Sequence, residues 1–129
     1  MRAMLKQLTF VVLALMAATV MAGELADKLK LPNHALLMRH ALAPGTGDPA
    51  GYSLTDCRTQ RNLDEQGRQQ ATLTGQWLKR QGIQKAMVLT SPWCRCKDTA
   101  ELLKLGAVRV EPALASFFDD MAQAKTQNQ

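Results

Sequence analysis

Two compact apolar runs constrain this chain more than any other feature. Ala35-Leu36-Leu37-Met38 and Ala86-Met87-Val88-Leu89 are too short for helices and show no polar alternation. Runs of that kind belong to strands buried on both faces, as in a parallel sheet covered by helices. Ala107-Val108-Arg109-Val110 is a third, shorter strand candidate. Between the first two runs, Asp64 is a good N-cap and Glu65 sits in the first turn of a predicted helix. Gly67, Ala71, Gly75 and Leu78 recur on one face of it. Two helical glycines cost about 1 kcal/mol each relative to alanine, so that face is expected to pack closely against the sheet. Lys79, Arg80 and Gly82 are its stop signals. Between the second and third runs, Ser91 as N-cap and Pro92 at the first position predict a helix to about Leu105, ended by Gly106. The alternation gives an α/β fold with a mainly parallel sheet flanked by helices. Glu24 to Lys30 adds a short amphipathic stretch stopped by Pro32, and Pro112 opens a final, partly helical segment.

The amino terminus sets the compartment. Arg2 and Lys6 precede an apolar run from Leu8 to Ala22 that is broken only by Thr9 and Thr19. This is the layout of a cleavable secretory signal, with cleavage near Ala22. The run is short of the roughly 20 apolar residues of a membrane span, and no cysteine stands directly after the cleavage site to take a lipid. No stable membrane anchor is therefore expected after cleavage, and the protein is expected in the periplasm or secreted. Residues 1–22 read as a signal peptide and 23–129 as one domain of 129 less 22, or 107, residues. Removing Arg2 and Lys6 leaves 14 basic against 11 acidic residues, a net charge of +3. That modest excess without a basic run gives no reason to expect a nucleic-acid partner, and nothing in the pattern fixes an oligomeric state. In an exported chain the three cysteines lie where disulfides persist. Cys57 can pair with Cys94 or with Cys96, leaving one thiol over. A zinc site needs about four ligands, and His34 and His40 are the only histidines, so no metal is expected.

The chemistry gathers where the strands end. In open α/β sheets ligands bind beyond the carboxyl ends of the strands, and Arg39-His40 and Ser91 to Arg95 fall there. Guanidinium forks match phosphate oxygens with paired hydrogen bonds. Arg39 and Arg95 can converge on such an anion, and a helix starting near Ser91 would add backbone N–H groups. A neutral imidazole beside them can attack phosphorus and form a covalent intermediate. The turn-rich segment Pro44 to Gly51 is long for a compact domain, as binding loops often are.

These residues resemble a family. Leu37-Met38-Arg39-His40-Ala41 is similar to the Arg-His-Gly motif of the histidine phosphatase (phosphoglycerate mutase-like) superfamily. Arg61-Asn62-Leu63-Asp64-Glu65-Gln66-Gly67 resembles its Arg-x-Leu-(Ser/Thr)-x-x-Gly stretch. Ser91-Pro92-Trp93-Cys94-Arg95, with Thr99-Ala100 behind it, resembles its Ser-Pro-x-x-Arg-x-x-x-Thr-Ala segment. The matches come in the family's order, roughly from Leu36 to Leu103. The resemblance implies a phosphatase that hydrolyses phosphomonoesters through a phosphohistidine on His40, without a cofactor. It makes Arg39 and Arg95 the phosphate-binding arginines, adds Arg61 and Ser91 to the substrate site, and puts Arg58 near the pocket mouth. The expected ligand is a small phosphorylated substrate or phosphate.

The departures imply something further. Ala41 stands where the family carries glycine, which would strain a backbone of positive φ. The family's second pocket histidine has no counterpart after His40. His34 lies six extended residues away, on the order of 20 Å, and is expected at the surface. For the acid, Asp119 and Asp120 fall near the right place in the family order, yet read more simply as a solvated pair at a helix start. The expected account is a chain lacking its C-terminal part, and the alternative function is a catalytically impaired or truncated phosphate- or anion-binding protein of the same fold. Trp77 is expected in the core and Trp93 at the core or the pocket wall.

Overall fold

The computed structural model describes residues 23–116. The expected signal segment and Asp119 and Asp120 lie outside the described residues. Residues 23–30 form helix α1, with Leu25, Ala26 and Leu29 on its packed side. Helix α2 spans Glu65–Arg80, strand β1 Val88–Thr90, helix α3 Cys94–Leu102 and strand β2 Val108–Val110. Short 3-10 turns occupy Cys57–Thr59 and Pro112–Leu114. The two strands run parallel, with Val88 opposite Val108 and Thr90 opposite Val110. Backbone bonds from Ala86 to Leu105 and from Glu111 to Thr90 extend the pairing at each end.

Helix α2 follows its sequence closely. Asp64 is in extended conformation and its side chain accepts from the Gly67 N–H, so the cap satisfies a donor the helix cannot. Its buried residues are Gly67, Ala71, Gly75 and Leu78, the face the spacing predicts. The two glycines serve close approach, but the partner is not the sheet. A Cβ on Gly67 would overlap the Leu42 carbonyl, and one on Gly75 would overlap the Leu103 carbonyl. The helix thus touches bare backbone just beyond His40 and at the end of α3.

Three expectations are corrected. The run Ala35 to Met38 carries no ladder, and Leu36, Leu37 and Met38 are 45, 84 and 47 % exposed. A strand is defined by its neighbours, and among the described residues none pairs with this run. Helix α3 begins at Cys94 rather than Pro92: Trp93, at ψ 136°, is the N-cap, and the Ser91 hydroxyl, two residues before it, accepts from the Trp93 N–H at 3.5 Å. It ends at Leu102 because Lys104 takes the left-handed turn (φ 53°) before Gly106 is reached. Trp77 is 47 % exposed and does not enter the core.

Two apolar clusters hold the fold. Ala26, Leu78, Ile83, Leu103 and Leu105 form one, beneath α1 and the sheet. Burying a leucine such as Leu78, 2 % exposed, stabilises by about 1.5–3 kcal/mol. Ala41, Ala43, Leu63 and Ala71 form the other, directly under the His40 segment. No helix among the described residues is long and apolar enough to cross a membrane.

Candidate active site

The segment that carries His40 is fixed from behind by both long helices. Thr99 Oγ accepts from the Ala41 N–H at 3.0 Å and donates to Arg95 O at 2.7 Å. Gln70 Oε1 accepts from the Leu42 N–H at 2.8 Å, and Gly67 lets α2 lie flat against Leu42. Ala41 is not among the residues of positive φ, so the glycine usual at that position is not required here.

His40 is half-buried. Its Nδ1 lies 2.7 Å from the Ala41 carbonyl, which can only accept. Nδ1 therefore carries the proton, and Nε2 keeps its lone pair. Burial lowers the His40 pKa below the usual imidazole value, the bond to Ala41 opposes that shift, and the charges of Arg95, Arg39 and Arg61 add to it. The lowered pKa favours the neutral ring, in which Nε2 is the unprotonated nitrogen.

A cleft of about 330 Å³ is lined by Arg39, His40, Arg61, Ser91, Trp93 and Arg95, with Gly47, Cys96, Leu114 and Ser116 at its margins. The structure thus brings His40, Arg39, Arg61, Ser91 and Arg95 together. Arg39 is exposed at the mouth. Arg95 is 5 % exposed, with its guanidinium 4.5 Å from the Trp93 ring centroid and an Nε that finds no acceptor among the described residues. Arg61 donates through Nε to Gly47 O at 2.7 Å and through Nη1 to Ala43 O. Burial, and then the charge of Arg95, push the Arg61 pKa down, and the nearby Asp48 carboxylate opposes the shift. Arg58 lines no part of the cleft; it pairs with Asp56 on the surface at 2.8 Å.

Cys57 pairs with Cys94, and Cys96 is the free thiol. The bridge ties the turn before Arg61 to the first residue of α3. Cys96 lines the cleft, and burial raises its pKa, so it stays protonated. The N-terminus of α3 does not offer its first donor to the cleft, contrary to expectation. The Cys94 N–H is taken by Gln60 Oε1 at 2.9 Å. His34 is exposed, bonded to Pro32 O at 3.0 Å, and is absent from the cleft lining. Trp93, 3 % exposed, packs against Tyr52 at 4.9 Å and forms part of the wall.

The sequence left Asp48, Gln60 and Gln70 without roles. Asp48 reads as one more turn former between Gly47 and Pro49, yet its carboxylate pairs with Arg95 at 3.0 Å. Each has a partner 28 to 47 residues away along the chain at Leu42, Cys94 or Arg95, and no local pattern announces that bond.

An imidazole and three guanidiniums line one cleft beside a small parallel sheet flanked by helices, in keeping with an α/β protein. The family model of the histidine phosphatase superfamily (branch 1) matches residues 35–127. The chain belongs to that superfamily, which points to phosphatase- or mutase-type chemistry. No curated protein and no solved structure gives a match.

Proposed function

We propose that the cleft is a phosphoryl-transfer site and that the protein hydrolyses phosphomonoesters through His40. One observation carries the reading: His40 has Nδ1 committed to the Ala41 carbonyl and Nε2 free, in a cleft lined by Arg39, Arg61 and Arg95. The guanidiniums hold the phosphoryl oxygens, and Nε2 attacks phosphorus as the ester P–O bond breaks. The leaving alcohol departs with the bond's electron pair and takes a proton from solvent, which fills the open cleft. Water then attacks phosphorus, the P–N bond breaks with its electron pair returning to Nε2, and phosphate leaves the restored imidazole. Each step needs no cofactor. The disulfide is compatible with an exported protein, which agrees with a periplasmic or secreted location.

A second reading has a specific observation behind it. No carboxylate lines the cleft among the described residues, and the chain's only other histidine, His34, lies outside it. On that reading the cleft binds phosphate without turning it over. The two part on one experiment with the full chain and an aryl phosphate. The phosphatase reading expects release of phosphate and a phosphoryl group on His40, trapped by denaturation in alkali, both abolished in His40→Ala. Measurable phosphate affinity that His40→Ala leaves intact, with no phosphohistidine and no release, would reject turnover and leave binding.

A further inference from the structure

The Asp48 side chain is 0 % exposed, although it stands in a loop of turn formers on the surface. Its Oδ1 and Oδ2 accept from Nη1 of Arg95 at 3.0 and 3.1 Å. Oδ1 also accepts from the backbone N–H of Arg61 at 2.8 Å. One carboxylate therefore grips both segments that bring buried or half-buried guanidiniums to the cleft. Arg61 returns the grip by donating to Gly47 O, the residue before Asp48. With Trp93 under its face and Asp48 on one edge, Arg95 is fixed in direction.

We propose that Asp48 is a positioning residue: a resident counter-ion that orients Arg95 and Arg61 for an incoming phosphoryl group while competing with it for the Arg95 guanidinium. The inference rests on the reading of the cleft as a phosphoryl-transfer site. A buried guanidinium without an anion is costly, so Asp48 keeps the cleft formed when no ligand is bound. The same carboxylate repels phosphate and occupies one nitrogen that could otherwise hold it. Asp48 thus exchanges ground-state affinity for orientation. Orientation speeds the chemical step, whereas uniform binding does not.

The test uses the full chain with Asp48→Asn, inorganic phosphate as the binding probe and an aryl phosphate as the phosphoryl donor. The amide removes the negative charge and sets a donor against Arg95 Nη1. Calorimetry is expected to show inorganic phosphate binding more tightly than to wild type, with a larger phosphate-induced rise in melting temperature. The rate of His40 phosphorylation is expected to fall about tenfold or more. A carboxylate that merely props the loop would move both quantities together, so loss of phosphate affinity alongside rate in a folded variant overturns the proposal. So does no change in either. Should Asp48→Asn fail to fold, Asp48→Glu keeps the charge but displaces it, and is expected to retain phosphate affinity while slowing phosphorylation; both kept or both lost overturns the proposal. If wild type forms no phosphohistidine, the phosphoryl-transfer reading fails on its own. The affinity arm then still decides the counter-ion: tighter binding by Asp48→Asn supports it, and equal or weaker binding overturns it.

Discussion

Residues 36–38 and 41–43 are neighbours in the chain and opposites in the fold. Leu36, Leu37 and Met38 lie 45, 84 and 47 % exposed, without a ladder. Ala41 and Ala43 are each 7 % exposed, with Leu42 between them turned outward at 44 %, and the N–H groups of Ala41 and Leu42 are bound by Thr99 and Gln70. The more apolar stretch is the one left outside. Apolar character creates a demand for burial, but only a partner surface of matching shape meets it. For residues 41–43 that surface is Gly67, Ala71 and Thr99; for 36–38 nothing among the described residues provides it. Arg39 and His40 sit at the junction, one exposed and one half-buried.

The contrast can be broken most strongly at the disulfide, which keeps the firm side firm. Cys57 and Cys94 are 37 residues apart, and a closed loop of that size contributes about 4 kcal/mol through the unfolded chain. Cys57→Ser/Cys94→Ser is expected to lose most of that in chemical denaturation, and to weaken phosphate binding as Arg61 loosens. Gly67→Ala comes next. Its methyl would meet the Leu42 carbonyl, so a cost of about 1–3 kcal/mol should accompany a shifted His40 resonance. An undisturbed spectrum would show that α2 does not hold the His40 segment. Thr99→Val strips the buried Ala41 N–H of its acceptor, an expected loss of about 1–3 kcal/mol in urea melts.

His40 itself gives a smaller, pH-dependent effect. Its folded pKa lies below the unfolded value of about 6.5. The folded state therefore binds fewer protons in that window, and stability is kept above it and lost as pH falls through it toward the folded pKa. Phosphorylation of His40 should persist at pH values where free imidazole is already charged. NMR titration showing a midpoint at or above the ordinary one would contradict this. The smallest change is expected on the loose side: Leu37→Ser should alter stability by no more than about 0.5 kcal/mol. A large loss there would mean that residues 36–38 are buried after all.

How much the sequence revealed follows the same line. Helix α2 was readable to its cap and its buried face because a cap bond spans three residues and a face repeats every few. The cluster of Arg39, His40, Arg61, Ser91 and Arg95 was readable because each follows a strand candidate or opens a motif, and the cleft gathers all five. The start of α3 was misplaced because Ser91 and Pro92 look like a helix opening, while Trp93 keeps an extended backbone. The pairing of Cys57 with Cys94 rather than Cys96 was open in sequence, since two residues on one helical turn differ only in direction. Asp48 was illegible for a different reason: its carboxylate is defined by a guanidinium 47 residues away.

The bridge from Cys57 to Cys94 also turns part of the chain into a covalent ring. Arg61, all of α2, β1 and Ser91 lie on that ring, whereas Arg39, His40 and Asp48 arrive on the tail before it and Arg95 on the tail after it. A protease that nicks the exposed residues Gln84 and Lys85 would open the polypeptide without releasing either piece. Arg61 and Arg95 would remain parts of a single body, and the two fragments would separate on a gel only after a reductant is added.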